Sequence, residues 1–209
     1  MQGGCTKVSP LYPTYPLSPF IQRMRLVSLT HITILLQLMD CRDEVAATAA
    51  GMKKVIRGQI KNALEILSSA ELEERSGAIF RRVSSMEEFK SKSCICLYLS
   101  MPAGEVQSYG LLQDVFDNKK RVFIPKVMGK NSEDLKVFEL SSFSMIDTFP
   151  RSKWGIPEPP KSFVEESSDA TYLGLIDCVI MPGVAFDSRC ARVGHGKGYY
   201  GTLYCMLYE

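Results

Sequence analysis

The chain has few of the residues from which metal sites and disulfide frameworks are built. Its 209 residues include only two histidines, and its seven cysteines are an odd number with no C-x-x-C pair. Zinc sites and disulfide frameworks use paired ligands at short spacings, so neither is expected here. Cys94, Cys96 and Cys178 lie inside apolar runs, where cysteine behaves as a small buried hydrophobe. We therefore expect a reducing compartment.

The chain also lacks a large net charge and a long uninterrupted hydrophobic run. Its formal charge of +2 is too small to indicate a nucleic-acid partner. The apolar stretch at residues 26–39 is interrupted by polar residues and is shorter than the roughly 20 residues of a transmembrane helix. With 45% hydrophobic and 23% charged residues, the composition is that of a globular protein. We expect a monomer whose partners include no nucleic acid and no membrane.

Acidic residues are absent from the first 39 positions, which hold four prolines before position 20. An acid-free, weakly basic leader is a feature of organelle transit peptides, and the alternative is an extension without that role. We predict an N-terminal extension, disordered or a transit peptide, over residues 1–51 and one domain over residues 52–209. The expected location is the cytoplasm, or the mitochondrion if the extension acts as a transit peptide.

From Met52 onward the hydrophobic pattern alternates between helix and strand. Apolar residues recur at helical spacing after Met52, and Ser68 with Glu71 forms a capping-box signature for a second helix. A buried central strand, a helix and a second strand are then predicted for "CICLYLSM" from Cys94, "EVQSYGLLQDVFDNK" from Glu105 and "RVFIPKV" from Arg121. This βαβ unit predicts an α/β fold with a parallel sheet. Two further strands are predicted, over Leu135–Leu140 and, long and buried, over Leu175–Phe186.

Residues 193–201, "VGHGKGYYG", follow the last predicted strand and precede a segment that can be helical. A glycine loop between a strand and a helix lets backbone N–H groups approach a phosphate, and the helix N-terminus adds partial positive charge. Arg192 and Lys197 supply full charges. The sequence therefore favours an anion site over a glycine-rich surface turn.

Neither of two common nucleotide motifs explains this loop. The Walker A motif fails because Gly198 follows Lys197, where a Ser or Thr should stand. The pattern G-x-G-x-x-G matches at Gly196, Gly198 and Gly201. That fingerprint, however, belongs after the first strand of a βαβ unit and needs an acidic residue about 20 positions later. We therefore set aside a dinucleotide-dependent oxidoreductase.

Five blocks of the sequence, in order, resemble the 5-formyltetrahydrofolate cyclo-ligase family. Residues 181–201, "MPGVAFDSRCARVGHGKGYYG", are similar to its signature P-G-x-x-F-D-x-x-G-x-R-x-G-x-G-x-G-Y-Y-D. The other blocks are "KKVIRGQIK", "LYLSMPAGEVQS", "VFIPKV" and "SKWGIPEP", so the resemblance covers residues 52–209. It implies a Rossmann-like three-layer α/β/α sandwich with a mostly parallel sheet. It also implies that ATP and Mg²⁺ are used to close 5-formyltetrahydrofolate into 5,10-methenyltetrahydrofolate.

The resemblance also assigns residues to a site. For ATP it implies the basic residues of the first helix and the glycine loop, namely Lys53, Lys54, Arg57, Arg192, Val193, Gly194, His195, Gly196, Lys197, Gly198, Tyr199 and Tyr200. For 5-formyltetrahydrofolate it implies an apolar wall, an acid and part of the same loop, namely Leu99, Met101, Glu105, Trp154, His195, Gly196, Lys197, Gly198 and Tyr199. Arg192 and Lys197 would have the catalytic role, because clustered cations stabilise a transferring phosphoryl group.

Each assignment has a purely structural alternative. The cations of the first helix could be its solvated face, and Glu105 could be a first-turn acid at a helix N-terminus. Trp154 could be a core aromatic in a proline-rich loop, and Tyr199 and Tyr200 could be core residues. His195, at a variable position of the signature, is expected to be exposed or to bind phosphate and receives no catalytic duty.

The match departs from the family at three points. Gly201 stands where the family has an acidic residue, so no metal ligand is assigned. Cys190 stands where the family has glycine, which strains the turn by about 1 kcal/mol or more if positive φ is needed. The chain ends at Glu209, before further strands of the family, so we expect a domain that is incomplete at its C-terminus. These departures leave an alternative open, a catalytically inactive folate- or nucleotide-binding member of the family.

Overall fold

The computed structural model describes residues 49–208, which form two leading helices and an α/β sheet domain. The predicted extension lies outside the described residues except for its last three positions, since the first helix begins at Ala49. In the described part the helices are α1 (Ala49–Glu65), α2 (Ser69–Ser85), α3 (Glu87–Lys90), α4 (Tyr109–Asp117), α5 (Met145–Thr148), α6 (Lys161–Glu166) and α7 (Tyr199–Tyr208), with a 3-10 helix at Ser132–Asp134. The strands are β1 (Cys94–Leu97), β2 (Arg121–Val127), β3 (Leu135–Leu140), β4 (Cys178–Ile180), β5 (Ala185–Phe186) and β6 (Arg192–Val193).

The start of α2 is set by the capping box that the sequence predicts. The Ser68 backbone N–H donates to Glu71 Oε2 at 3.0 Å, and the Glu71 N–H donates to Ser68 Oγ at 3.3 Å. The first N–H groups of a helix have no partner inside it, and these two bonds satisfy two of the N–H groups at the start of α2. The capping box therefore favours the beginning of a new helix at this point. The capping-box prediction is confirmed.

The main sheet has the order β3-β2-β1-β4. Strand β1 runs parallel to both β2 and β4, whereas β3 runs antiparallel to β2 at one edge. Helix α4 connects β1 to β2, as the predicted βαβ unit requires. The α/β class, the mostly parallel sheet and the central place of β1 are therefore confirmed.

Side chains alternate along the strands between two hydrophobic cores on opposite faces of the sheet. Ile95 and Leu97 of β1 face a core that α2 and α4 cover, while Cys96 faces a second core that contains Leu203 of α7. Residues of a strand point alternately to the two faces, so a sheet covered on both must be apolar at consecutive positions. This explains the unbroken apolar run of β1 and gives the expected three-layer arrangement.

Three predicted elements differ from the structure. The central strand expected over residues 94–101 ends at Leu97. The long strand expected to run into irregular backbone over Leu175–Phe186 is only the three-residue β4; irregular backbone does follow it, and then a separate hairpin of β5 and β6. Pro182 follows β4 and has no N–H with which to continue a ladder. The helix expected from Glu105 begins at Tyr109, because Ser100 and Ser108 exchange two backbone-to-hydroxyl bonds of 3.1 Å that hold residues 105–108 against the end of β1.

Within residues 49–208, no helix is both long enough and apolar enough to span a membrane. The apolar stretch at residues 26–39 lies outside the described residues.

Candidate functional site

The candidate site lies where the parallel strands end. The chain leaves β1 into residues 98–108, β2 into residues 128–134 and β4 into the segment that ends in the glycine loop. Carboxyl ends of parallel strands share one edge of the sheet, which is where α/β proteins bind ligands. The family blocks that follow β1 and β4 therefore meet at one edge.

Arg57 joins the basic first helix to the glycine loop. Its Nε donates to the Gly194 carbonyl at 2.8 Å across 137 positions of sequence. A Cβ added at Gly196 would lie 3.4 Å from Arg57 Nη2, so the guanidinium also packs along the loop. Arg57 is half-buried, whereas Lys53 and Lys54 on the same helix are exposed. The reading of α1 as a merely solvated basic face is wrong for Arg57.

A hairpin of β5 and β6 leads into the loop through a tight turn. The Asp187 carboxylate accepts the backbone N–H groups of Arg189 at 2.9 Å and of Ala191 at 2.8 Å. Desolvation is the largest single influence on the pKa of Asp187 and raises it, but the two backbone bonds together with the Arg189 side chain outweigh it, so the pKa is lowered. Cys190 within this turn has φ of 65°, in the left-handed region that favours glycine. The positive φ that would make cysteine a strained replacement at this position is confirmed.

Arg192 is held from two sides at the base of the loop. Its Nη1 donates to the Pro182 carbonyl at 2.9 Å, and its guanidinium carbon lies 5.6 Å from the centre of the Tyr200 ring. A Cβ on Gly194 would come within 2.6 Å of Arg192 Nη1, so a side chain there would displace the guanidinium. Desolvation lowers the pKa of Arg192, but a guanidinium still keeps its charge in a protein. A fixed, half-buried cation results.

The loop itself requires its glycines and ends at a helix N-terminus. Gly196 has φ of 108° and Gly198 has φ of 80°, values that residues with a side chain rarely adopt. His195 to Gly198 are exposed, and α7 begins at the next residue, Tyr199. The predicted order of strand, glycine loop and helix is therefore present, with a short hairpin preceding the loop.

Glu105 faces the loop from the end of β1. Its carboxylate accepts the Met101 backbone N–H at 3.0 Å. Burial raises the pKa of Glu105, and the Met101 bond partly opposes this. Burial is also the main cause of the raised pKa of Tyr200, to which the negative charge of Glu105 adds. Because α4 begins at Tyr109, the reading of Glu105 as a first-turn acid of a helix is wrong.

The residues expected to form an apolar wall have different environments. Leu99 is only 7% exposed and belongs to the core, whereas Met101 is half-buried. Trp154 is 59% exposed, with Lys153 Nζ 4.3 Å from its ring centre, so the reading of Trp154 as a core aromatic is wrong. Its neighbour Gly155 packs on Pro102, since a Cβ there would lie 2.7 Å from Pro102 Cγ. The tryptophan loop thus borders the loop after β1.

Five of the assigned cations have no acidic partner in the described part of the chain, although seven other ion pairs occur there. They are Lys53, Lys54, Arg57, Arg192 and Lys197. Of these, Arg57 and Arg192 both lie against Gly194, and neighbouring cations without compensating acids make a field that attracts an anion. Among residues 49–208, no three His, Cys, Asp or Glu side chains come together as metal ligands. Gly201, in the first turn of α7, has open space where a side chain would project.

Sequence reasoning missed the loop after β2. Tyr199 Oη donates to the Gly129 carbonyl at 3.0 Å, and a Cβ on Gly198 would lie 3.4 Å from Ser132 Cβ. The Gly, Asn and Ser residues that follow the predicted strand at 121–127 were a signal for a loop at the carboxyl edge of the sheet.

A profile of the 5-formyltetrahydrofolate cyclo-ligase family matches residues 49–209. The chain belongs to this family. It is 35% identical over 159 residues to a probable 5-formyltetrahydrofolate cyclo-ligase of Schizosaccharomyces pombe, covering 75% of this chain and 73% of that one. It is 31% identical over 157 residues to the mouse 5-formyltetrahydrofolate cyclo-ligase, covering 75% of each.

A solved structure extends the family likeness to the fold. The NMR structure of Aquifex aeolicus 5,10-methenyltetrahydrofolate synthetase superimposes with a TM-score of 0.59 at 27% identity, covering 75% of this chain and 74% of that one. The resemblance stated from the sequence is confirmed, and this cyclo-ligase family member belongs to a family of ligases.

Proposed function

We propose that the chain uses ATP to close 5-formyltetrahydrofolate into 5,10-methenyltetrahydrofolate, with release of ADP and phosphate. The observation that carries the proposal is the 2.8 Å bond from Arg57 to the Gly194 carbonyl. It joins the two basic blocks of the family signature, one at each end of the domain, into one cationic loop surface. Family membership supports the ring closure, and the cations that have no ion-pair partner within residues 49–208 support the triphosphate.

The triphosphate of ATP would lie over the glycine loop. Residues 196 to 198 are exposed, and glycine at 196 and 198 lets a phosphate approach the backbone N–H groups. Arg192 would reach the phosphoryl group from the base of the loop, and Lys197 from its exposed side. Lys53 and Lys54 would approach from α1. Preorganised cations of this kind stabilise a transferring phosphoryl group without reorganising during the reaction.

The reaction needs positioning and charge neutralisation more than a proton-transfer pair. In the first step the formyl oxygen forms a bond to the γ-phosphorus, and the bond from phosphorus to ADP breaks. In the second, the anilino nitrogen forms a bond to the formyl carbon and loses its proton, and the bond from that carbon to the phosphate oxygen breaks. Arg192 and Lys197 would stabilise the phosphate in both steps.

The folate would bind between the glycine loop and the loops after β1 and at Trp154. The exposed Trp154 ring offers a stacking face for the pterin, and Met101 offers apolar contact. Glu105 would accept hydrogen bonds from the pterin at the half-buried end of this cleft. Leu99 would contribute from the core side by supporting the loop after β1.

Residues 49–208 do not form a protein-only site for Mg²⁺. No cluster of metal ligands exists among residues 49–208, and Gly201 supplies no carboxylate. Magnesium commonly binds mainly to substrate phosphates and water. The metal would therefore reach this site with ATP, and no step of the proposal depends on a protein ligand to it.

The proposal is tested with purified protein, 5-formyltetrahydrofolate, ATP and Mg²⁺. We expect the absorbance of the methenyl product to appear only when ATP is present. No turnover at high enzyme concentration, with a folded circular-dichroism spectrum, would exclude the activity for this chain.

A second candidate, a catalytically inactive folate- or nucleotide-binding protein, is favoured by Gly201. If this alternative holds, the wild type binds ATP without turnover. Restoring the acid with Gly201→Asp, for which the structure leaves space, then changes ATP binding little and yields no product. Turnover by the wild type would exclude this alternative.

We propose a cytoplasmic location, with a mitochondrial one as the alternative that the acid-free first 39 residues favour. A fluorescent protein fused behind residues 1–51 would remain cytosolic in the first case and enter mitochondria in the second.

A further inference from the structure

The loop at residues 128–134 lies against the end of the glycine loop and has no part in the proposed chemistry. Tyr199 Oη donates to the Gly129 carbonyl at 3.0 Å, across 70 positions of sequence. A Cβ on Gly198 would lie 3.4 Å from Ser132 Cβ, which is close contact. Helix α7 also contacts the 3-10 helix Ser132–Asp134. Gly198, the last glycine of the loop, and Tyr199, the first residue of α7, therefore both contact the loop at residues 128–134.

This neighbouring loop is braced from within. The Asp134 carboxylate accepts the Asn131 backbone N–H at 2.8 Å, and the Asp134 carbonyl accepts the Met128 N–H at 2.7 Å. Gly129 has no room for a Cβ, because Asp134 occupies that space. Because these two hydrogen bonds restrain the loop, the Gly129 carbonyl is an acceptor in a fixed position.

A fixed acceptor matters because the glycine loop is intrinsically permissive. Gly196 and Gly198 adopt positive φ, but glycine also samples many other conformations. A loop that must be ordered when a ligand arrives binds less tightly than one already in the bound shape. Arg57 fixes the start of the loop at Gly194, and the Tyr199 hydroxyl fixes its end.

We propose that residues 128–134 act as a positioning element, which through the Tyr199 hydroxyl holds the glycine loop in its anion-binding shape. This inference rests on the proposed function of that loop as the phosphate site. It gives Tyr199 a positioning role, in which the hydroxyl works through the loop after β2 and touches no phosphate.

The first test is Tyr199→Phe, which removes the hydroxyl and keeps the ring. We expect the KM for ATP to rise about 3- to 10-fold, the change that one lost hydrogen bond produces. The KM for 5-formyltetrahydrofolate should change less than twofold. Tyr109→Phe is the matched control, because the buried Tyr109 hydroxyl has no hydrogen-bond partner in the described part of the chain. An unchanged KM for ATP in Tyr199→Phe would overturn the proposal.

A double-mutant cycle separates positioning from direct contact with ATP. Asp134→Ala loosens the loop after β2 without touching the glycine loop. Calorimetry with ATP alone should show that Asp134→Ala weakens binding, and that adding Tyr199→Phe to it has little further effect. Full additivity of the two changes would mean that the hydroxyl acts on ATP directly and would overturn the proposal.

A third readout does not depend on activity. Amide hydrogen exchange at residues 194–198 of the ligand-free protein should be about 3- to 10-fold faster in Tyr199→Phe than in the wild type or Tyr109→Phe. If the wild type neither binds ATP nor turns over, the proposed function fails while this measurement still decides the positioning role. Equal exchange in all three proteins would overturn it.

Discussion

The two ends of the parallel strands use positive charge in different ways. At the amino end, Lys120 Nζ donates to three backbone carbonyls at 2.6 to 2.8 Å, and Arg121 forms a two-bond fork with Glu139. At the carboxyl end, Arg57 and Arg192 each donate to one carbonyl and have no acidic partner in residues 49–208. Lys120 and Arg121 are satisfied by the fold, whereas Arg57 and Arg192 retain capacity for a ligand.

Two acidic residues, Asp177 and Glu105, also differ between the two ends. Asp177 at the amino end accepts two backbone N–H groups, of Ser93 and Cys94, each at 3.0 Å. Glu105 at the carboxyl end accepts only the Met101 N–H and is half-buried, so its pKa is raised. The Asp177 carboxylate therefore holds the start of β1, whereas the Glu105 carboxylate is desolvated with a single backbone donor. Such perturbed groups are typical of functional sites.

The largest expected effect is the loss of activity on removing a cation at the carboxyl end, compared with removing one at the amino end. Arg192→Ala should lower kcat/KM for ATP by about 10² to 10³-fold, because a preorganised charge at the transferring group is lost. Arg121→Ala is the matched control, and steady-state kinetics should show activity within about twofold of the wild type with at most about 1 kcal/mol lost from stability. Equal losses of activity in both variants would contradict the division between the ends.

The next effect is on stability at the amino end. Lys120→Ala leaves the carbonyls of Phe89, Lys90 and Lys92 without their ammonium donor. We expect the free energy of unfolding to fall by about 2–3 kcal/mol, measured by urea denaturation. The exposed Lys130 on the carboxyl side serves as control, and Lys130→Ala should change it by less than about 0.5 kcal/mol. An unchanged free energy of unfolding in Lys120→Ala would show that the three hydrogen bonds of Lys120 contribute little to stability.

A smaller effect, of the opposite sign, is expected in the hairpin that leads to the site. Cys190→Gly should raise the free energy of unfolding by about 1 kcal/mol, because glycine adopts the observed φ of 65° without strain. Cys190→Ala keeps the strained φ and should give no such gain. Thermal denaturation of both variants checks this, and equal midpoints would assign the effect to the thiol and not to φ.

The smallest expected effect is a difference between the two ends in how stability depends on pH. Because burial raises the pKa of Glu105, the folded state favours its protonated form, and stability falls as pH rises through its folded pKa. Arg121 lowers the pKa of Glu139, so that group instead loses its contribution as pH falls through its folded pKa. Urea midpoints measured against pH should show that the stability of Glu105→Gln rises relative to that of the wild type toward neutral pH. The stability of Glu139→Gln should instead rise relative to that of the wild type toward acidic pH. Parallel profiles would contradict the assignment.

Much of the fold was predictable because its signals are local. The capping box at Ser68 and Glu71, the apolar run of β1 and the βαβ order each depend on residues within a few positions of one another. The start of α4 was not predictable, because the exchange of bonds between Ser100 and Ser108 forms only in the folded chain. The end of β4, in contrast, was signalled locally by Pro182, which has no N–H for a strand ladder.

The site was predictable in its residue types and less so in its contacts. The family blocks identified the cations, the glycines and Trp154. Leu99 lies in the apolar run predicted as a buried strand, but the sequence carried no signal that Trp154 is exposed, since an aromatic residue in a proline-rich loop can lie in the core or at the surface. Only the packing of neighbouring elements decides which of them remains at the surface.

By itself, the sequence determined the α/β class, the sign of the charge near the glycine loop and the positions that only glycine fits comfortably. These properties follow from hydrophobic period, side-chain charge and allowed φ, which act within short stretches of chain. The tertiary structure decided that Arg57 reaches Gly194 and that Tyr199 reaches Gly129. Such contacts join residues far apart in sequence, so they exist only after the sheet order and its crossovers have brought three strand ends to one edge.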